Sequence, residues 1–380
     1  MPKYRFEEIA INSTEKKKPA ETDKDTYIGL EHLDSGSLEV TRWGAEVAPI
    51  GDKLVMHKGD VLFGRRRAYQ KKVAIAPFDG IFSAHGMVLR PIESVITKYF
   101  FPFFISSDYF LDAAIKISVG SLSPTINWRD LAKLEFQIPS LDEQIALSSV
   151  LWAMNRLKMA YTALLKQADA LVQSQFVEMF GDVITNSFNW PMRSLATIAE
   201  TRLGKMVDAK KQTGEYRHPY IANFNVQWFH FDFSELREMD FLPEDQLEFE
   251  LREGDLLVCE GGEVGRCAIW HNEIEGCYFQ KAVHRIRCNE QYLVPGYLAY
   301  WFKHHSDFNQ FEDIVGGKTS IAHLPGVKLK ALQIPLPPIE QQQAFCALCD
   351  QTDKSKYCGW KSGLRRRNLI KNVIREAFLQ

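Results

Sequence analysis

A cluster of basic residues in the first half of the chain has a composition that suits binding to phosphate. Residues 65–72 read Arg-Arg-Arg-Ala-Tyr-Gln-Lys-Lys and precede the apolar segment Val73–Ala76, which predicts a turn between two strands. Because guanidinium and ammonium groups bind phosphate oxygens, we expect DNA contacts here. Charge runs are also common on solvated hairpin tips, which is the alternative interpretation. The candidate residues are Arg65, Arg66, Arg67, Tyr69, Lys71 and Lys72.

Small polar residues mark two further turns that could touch phosphates or base edges. In the second turn, Gly316–Thr319 reads Gly-Gly-Lys-Thr, but Glu312 stands where a nucleotide-binding loop has its first glycine, so that loop is excluded. A purely structural turn is equally compatible with each residue. The candidates are Ser121, Ser123, Thr125 and Asn127 in the first turn, Lys318, Thr319, Ser320 and His323 in the second, and Lys205, Lys210 and Lys211 in a locally basic stretch.

The residues that most often carry catalysis or bind metals form no recognisable set in this sequence. The Gly-x-Ser-x-Gly and His-Glu-x-x-His patterns are absent, and no glycine-rich cofactor loop lies between a strand and a helix. His304 and His305 lack acidic or cysteine residues at ligand spacing, which predicts surface histidines. Cys346 and Cys349 lack a second pair and are predicted to be buried helix residues. The sequence therefore favours a binding protein with no cofactor or metal of its own.

The elements that position these side chains occur twice along the chain. Pro139–Gln144 reads Pro-Ser-Leu-Asp-Glu-Gln, and Pro337–Gln342 reads Pro-Pro-Ile-Glu-Gln-Gln, about half the chain later. Alternating apolar residues before each motif predict a strand, and the Gly-Asp-Val-Leu turn at residue 59 recurs as Gly-Asp-Leu-Leu at residue 254. This order predicts an α+β protein with two similar modules. The expected segments are residues 1–138, a long helix at 139–182, residues 183–336 and a second long helix at 337–380.

The first long helix has the heptad pattern of a coiled coil. Its apolar residues alternate spacings of four and three, and about 40 residues at ~1.5 Å each give a rod of roughly 60 Å. Neither helix can bury its apolar stripe alone, so we expect the two to pack on each other. The predicted packing residues are Val150, Met154, Leu157, Tyr161, Leu164, Ala168 and Leu171 in the first helix, and Leu348, Trp360 and Leu364 in the second.

The composition is that of a soluble globular protein with room for two domains. The 380 residues are 46% hydrophobic and 25% charged, with a formal net charge of −2, so any nucleic-acid site must be local. No apolar run is long enough to span a membrane, and the N-terminus lacks a signal-peptide core, which predicts a cytoplasmic protein. Residues 1–26 are rich in charged side chains and are predicted to form a loop.

Two modules that each end in a strand, a Pro-x-[Leu/Ile]-x-[Glu/Gln]-Gln motif and a long helix resemble the DNA-specificity (S) subunit of type I restriction-modification systems. The duplicated Gly-Asp turn and the segments Tyr27–Leu33 and Asn127–Pro139 strengthen the resemblance, which covers essentially the whole chain. It implies two target recognition domains joined by two long antiparallel coiled-coil helices. One departure is visible, because Gln341 stands where the first copy has Glu143.

The resemblance also implies a function and partners. Each module would read one half of a split sequence in double-stranded DNA, and the helices would set the gap between the halves. Two modification subunits would use S-adenosylmethionine to methylate adenine N6, and restriction subunits, where present, would use ATP and Mg. The specificity subunit itself would have no catalytic activity.

Alternatives remain at the level of sequence. A modification-only system would use the same kind of subunit. A nuclease with its own recognition domains would need an acidic metal cluster with a lysine, and this pattern is not found in the sequence. A coiled-coil scaffold that binds only protein would show no sequence-dependent DNA binding.

Overall fold

The computed structural model describes residues 1–206, 212–311 and 323–352. These residues divide into two compact units, unit 1 at Met1–Thr162 and unit 2 beginning at Ala163. Each unit combines helices with mostly antiparallel sheets, which confirms the α+β class. None of the helices in these three ranges is both long and apolar enough to cross a membrane.

Unit 1 contains three small sheets and an aromatic core. Its strands are β1 (Lys3–Arg5), β2 (Ala10–Ser13), β3 (Lys16–Lys17), β4 (Tyr27–Ile28), β5 (Lys53–Met56), β6 (Val61–Phe63), β7 (Val73–Ile75), β8 (Gly80–Phe82), β9 (Met87–Pro91) and β10 (Glu135–Gln137). Its helices are α1 (Phe6–Ile9), α2 (Phe101–Ser106), α3 (Asp108–Lys116), α4 (Trp128–Leu131) and the start of α5 (Leu141–Phe180). The sheet orders are β1-β10, β2-β9-β6-β7 and β3-β5-β8-β4.

Unit 2 repeats the central sheet of unit 1. Its strands are β11 (Met192–Ser194), β12 (Ala199–Leu203), β13 (Arg217–Ile221), β14 (Val226–Gln227), β15 (His230–Phe231), β16 (Arg237–Asp240), β17 (Leu256–Cys259), β18 (Cys267–Ile269), β19 (Tyr278–Phe279), β20 (Val283–Cys288) and β21 (Gln333–Pro335). Its helices are α6 (Leu195–Ile198), α7 (Pro243–Phe249), α8 (Pro295–Asp307), α9 (Gly326–Ala331) and α10 (339–352). The order β12-β20-β17-β18 matches β2-β9-β6-β7 strand for strand.

The Gly-Asp turn before the central strand is fixed in both units by a buried aspartate. Asp60 accepts two hydrogen bonds from the guanidinium of Arg90, at 2.8 and 2.9 Å. Asp255 accepts the same pair from Arg287, at 2.7 and 2.8 Å. A bidentate pair of this kind has a defined geometry and fixes each turn to the adjacent strand. The repeated motif therefore has a structural role.

The glutamine that ends each proline motif is buried and fully hydrogen-bonded. The amide of Gln144 accepts from the backbone N–H of Thr97 at 2.7 Å and donates to the carbonyl oxygens of Val95 and Pro139, both at 2.9 Å. Gln342 makes the three equivalent bonds in unit 2, at 2.9 to 3.0 Å. The motif thus joins the start of each long helix to a loop of its own module.

Helix α5 buries its two ends and exposes much of its heptad stripe. Leu151 belongs to the unit 1 core, and Val172, Phe176 and Phe180 belong to the unit 2 core. In that core, the Phe345 ring of α10 lies 5.3 Å from the Phe176 ring. Of the predicted packing residues, Met154, Tyr161, Ala168 and Leu348 are half-buried, whereas Val150, Leu157, Leu164 and Leu171 are 47% to 58% exposed. The two long helices thus contact each other at Phe176 and Phe345. Trp360 and Leu364 lie outside the described residues, so the packing predicted along the rest of the stripe stays a prediction.

Two local predictions are wrong for tertiary reasons. Residues 1–26 are not a loop, because β1, β2 and β3 pair with β10, β9 and β5, far along the chain. His305 is not a surface residue: it is buried, with Nδ1 2.9 Å from the carbonyl oxygen of Trp301. His304 is half-buried, with Nε2 3.3 Å from the Asp182 carboxylate. Of the two cysteines predicted to be buried in the helix, Cys349 is buried and Cys346 is half-buried.

Candidate nucleic-acid interface

The basic cluster of unit 1 forms the connection between β6 and β7, as the sequence predicts. Ala68–Gln70 forms a short 3-10 turn, flanked by Arg67 and Lys71 with φ values of 54° and 50°. Left-handed backbone costs about 1–2 kcal/mol for residues other than glycine. The loop therefore has long basic side chains at two positions where glycine would adopt the backbone conformation at lower cost.

Not all of the positive charge on this loop is available to a ligand. The Lys71 ammonium lies 2.8 Å from the Asp108 carboxylate and 2.7 Å from that of Asp112. Burial opposes the charged form, but these hydrogen bonds outweigh it and raise the pKa of Lys71. Lys72 donates to the carbonyl oxygen of Leu30 at 2.7 Å, and the half-buried Arg65 donates to a backbone carbonyl in the β8–β9 turn. These three cations contribute to the fold of unit 1.

Arg66 joins the basic loop to the first polar turn. Its backbone forms a bridge with Thr125, and its Nε donates to the hydroxyl of Ser123 at 3.0 Å. Its Nη1 lies 3.4 Å from Nε2 of His85, in the β8–β9 turn. The structure therefore brings together two groups of candidates that are well separated in sequence. Arg66, Arg67, Tyr69, Ser121 and Asn127 are exposed, and Ser123 and Thr125 are half-buried.

His85 was not among the sequence candidates, because a single histidine beside a glycine carries no pattern. Burial lowers its pKa, and the charges of Arg66, Arg65 and Lys53 lower it further. A neutral imidazole has one acceptor nitrogen, and arginine can only donate, so Nε2 accepts from Arg66 and the proton lies on Nδ1. His85 thus completes a polar cluster of three side chains with Arg66 and Ser123.

In unit 2, the corresponding loop between β17 and β18 contains glycines where unit 1 has basic residues. Gly261 forms a backbone bridge with His323, just as Arg66 does with Thr125. Gly262 and Gly265 have φ values of 77° and 85°, and occupy the positions of Arg67 and Lys71. A side chain at Gly265 would collide with the Phe311 ring, whereas one at Gly262 would start 3.8 Å from Oδ1 of Asn223, without a collision. The same backbone path therefore carries cations in unit 1, whereas in unit 2 it carries glycines and the exposed Glu263, whose carboxylate contacts Trp228 and Arg266.

The remaining candidates of unit 2 divide into two groups. Lys205 donates to the carbonyl oxygen of Asp240 at 2.8 Å and pairs with the Asp245 carboxylate at 2.5 Å, so its charge is neutralised within the unit. His323 is exposed at the edge of the glycine loop. Lys210, Lys211, Lys318, Thr319 and Ser320 lie outside the described residues.

A comparison with protein families matches this chain in two separate segments, one for each copy of the repeat. The model of the type I restriction modification DNA specificity domain matches residues 7–166 and again residues 188–356. The chain belongs to this family. Each match contains one copy of the repeated sheet, β2-β9-β6-β7 or β12-β20-β17-β18, and the loop that follows its central strand, so both candidate loops lie within the matched segments.

Two curated relatives are named as specificity subunits. That of the EcoDI type I restriction enzyme of Escherichia coli is 27% identical over 142 residues, which are 37% of this chain and 31% of that protein. The putative MjaX specificity subunit of Methanocaldococcus jannaschii is 25% identical over 169 residues, 43% of this chain and 40% of that protein. The matched regions span less than half of either relative.

Two solved structures share the fold along nearly the entire chain. The crystal structure of the type I restriction-modification S subunit from M. genitalium has a TM-score of 0.58 at 12% identity, and covers 100% of this chain and 96% of that one. A chain from a structure on complex assembly and conformational transition of the type I R-M system has a TM-score of 0.53 at 18% identity, with coverage of 99% and 97%. At such identities the likeness concerns the fold alone.

Proposed function

We propose that this chain is the DNA specificity subunit of a type I restriction-modification system and binds a bipartite double-stranded target, one half-site per unit. The proposal rests on the four-stranded sheet that occurs in both units, together with a pair of loops beside it. The two loops are bridged by Arg66 and Thr125 in unit 1 and by Gly261 and His323 in unit 2. A duplicated reader lets one chain address two half-sites, as dimeric DNA-binding proteins do with two chains. The chain is proposed to act in the cytoplasm, where it has access to the genome.

Unit 1 is proposed to contact DNA through the part of its basic loop that the fold leaves available. Arg67 and Tyr69 are exposed, and Arg66 presents its guanidinium beside the polar turn. Phosphate contacts from such residues supply affinity and orientation without sequence information, whereas contacts to base edges supply specificity. Arg67 is assigned to the phosphate backbone, with Ser121 and Asn127 at the edge of the same surface.

Unit 2 is proposed to contact DNA through its backbone, which DNA can approach closely at the glycine loop. Gly262 is exposed, and only the Asn223 side chain comes within 4 Å of the place where its own side chain would start, so a phosphate or base edge can approach the backbone there. His323 adds a donor or acceptor beside it, and Lys318, Thr319 and Ser320 remain sequence candidates for the same half-site. The two units would thus bind their half-sites by different chemistry.

The chain is proposed to supply recognition while partner subunits supply catalysis. Two modification subunits would transfer a methyl group from S-adenosylmethionine to adenine N6 of a flipped base. Restriction subunits, in a system that contains them, would use ATP and Mg. On this proposal the isolated chain transfers no methyl group and cleaves no strand.

The test is methylation mapping in cells free of other DNA methylation. The cells receive this chain together with the methyltransferase encoded beside it, or either protein alone. We expect N6-methyladenine in one split motif only when both are present. Methylation of the same motif without this chain, or of a single continuous motif, would overturn the proposal.

A further inference from the structure

The guanidinium of Arg66 is held in one orientation before any ligand arrives. Its Nε donates to Ser123 at 3.0 Å, and its Nη1 lies 3.4 Å from the His85 acceptor. Its backbone N–H donates to the carbonyl oxygen of His85 at 3.2 Å. Side chain and main chain are thus anchored to two different turns.

These contacts leave N–H groups of the exposed Arg66 guanidinium without a partner among the described residues. A guanidinium has five N–H groups, and two are directed to Ser123 and His85, so three remain on Nη1 and Nη2. A planar fork with parallel donors matches the O6 and N7 acceptors of guanine in the major groove. Because the side chain is already ordered, little rotamer entropy is lost when it binds.

Arg67 differs from Arg66 although it is adjacent in sequence. Among the described residues the structure shows no hydrogen bond or ion pair to the Arg67 side chain, which is exposed. A cation that contacts phosphates adds affinity and orientation but carries no sequence information. The two arginines therefore form a natural pair for comparison, one anchored and one not.

We propose that Arg66 reads a guanine in the half-site bound by unit 1, with Ser123 and His85 as positioning residues. The inference rests on the proposed function, which names DNA as the ligand but assigns no base to any residue. Unit 2 has Gly261 at the corresponding position, so this contact belongs to one half-site only.

The experiment compares variants of the full chain, each assembled with its methyltransferase. Genomic methylation and selection from a pool of duplexes randomised at the unit 1 half-site provide the readouts. The variants are Arg66→Ala, Arg66→Lys and the matched control Arg67→Ala, with thermal unfolding as a check of folding.

The wild-type chain is expected to require guanine at one position of the half-site. Arg66→Ala should relax this position roughly 5- to 150-fold, which corresponds to the 1–3 kcal/mol of a bidentate base contact. Arg66→Lys keeps the charge but loses the fork, so it should relax the same position while retaining most of the affinity for unrelated DNA. Arg67→Ala should weaken binding to all duplexes and leave the motif unchanged.

The positioning residues provide a second readout. Ser123→Ala and His85→Ala should relax the guanine position partially and leave every other position of both half-sites unchanged. His85→Gln, which retains an acceptor, should restore selectivity for guanine. A merely structural role for His85 would instead lower the unfolding temperature without changing the motif.

The proposal is overturned if Arg66→Ala and Arg66→Lys keep the wild-type motif, since Arg66 would then contact phosphates only. It is also overturned if the position they relax is not a guanine. If the wild-type chain with its methyltransferase binds and methylates no DNA, the proposed function itself fails. The wild-type measurement therefore separates the two failures.

Discussion

The ammonium of Lys72 lies 2.7 Å from the carbonyl oxygen of Leu30, and this contact recurs in unit 2, where Arg266 lies 3.0 Å from the carbonyl oxygen of Asn223. Both cations stand immediately before the edge strand of the four-stranded sheet, β7 or β18. Two copies with different surface loops have kept the same internal contact. A basic residue in the cluster can therefore serve the fold, which allows the cluster to be divided by function.

The salt dependence of DNA binding should follow this division. Replacing Arg66 and Arg67 together by alanine removes two exposed cations and should reduce the slope of log affinity against log salt by about 0.9 for the phosphate contact assigned to Arg67. Lys72→Ala is the matched control, and should lower the unfolding temperature of the chain while leaving the slope unchanged. Fluorescence anisotropy over a series of salt concentrations measures both. An unchanged slope in the double variant would identify the loop as a solvated tip.

The buried glutamine of the proline motif should contribute strongly to stability. Gln144→Leu leaves the N–H of Thr97 and the carbonyl oxygen of Val95 without their partner, at about 1–3 kcal/mol for each unsatisfied buried group. Gln341→Ala is the matched control, because Gln341 is exposed and should be nearly neutral. Urea unfolding followed by fluorescence compares the two variants. Equal midpoints would contradict the structural role of the motif.

Unit 2 should lose stability in acid through His305. Burial lowers the pKa of this imidazole to about 4, with the Trp301 carbonyl and the Asp182 carboxylate acting in the opposite direction and His304 in the same one. Since the unfolded pKa is near 6.5, the unfolded chain binds the extra proton first. Stability from this group is complete above the unfolded pKa and is lost as the pH falls from there towards 4, by up to about 1.4 kcal/mol per pH unit.

The measurement for this prediction is the unfolding temperature as a function of pH. His305→Gln should flatten the acid side of the profile, even if it lowers the value at neutral pH. His271→Gln, at an exposed histidine, is the matched control and should keep the wild-type profile. If His305→Gln keeps the wild-type profile, groups other than His305 cause the loss of stability in acid.

The length of the first long helix should set the gap between the half-sites. Four residues inserted near Leu164 advance the helix by ~6 Å, and a coiled coil can absorb such a stutter by local unwinding. This advance is close to two base pairs at ~3.4 Å each. Methylation mapping should therefore show an unread spacer longer by about one or two base pairs, with both half-sites unchanged. An active variant with the original spacer would show that the helix does not act as a ruler.

The amino-acid sequence by itself determined the duplication, the start of each long helix and the polar character of the loops. These features depend on residue type and spacing within short segments, such as the two proline motifs and the basic stretch before Val73. The helix α5 begins and ends where its proline and glycine predict. A local pattern was sufficient because each of these signals acts over a few neighbouring residues.

Only the tertiary structure decided what each charged or polar side chain does. Lys71 and Arg66 both belong to one basic run, yet Lys71 is paired with Asp108 and Asp112 while Arg66 is presented between Ser123 and His85. These partners lie far away in the sequence, and a hydrogen bond depends on a distance of about 3 Å that only the folded chain establishes. For the same reason the sequence did not reveal that His305 is buried. Nor did it reveal that residues 1–26 contain strands, because their partner strands lie far along the chain.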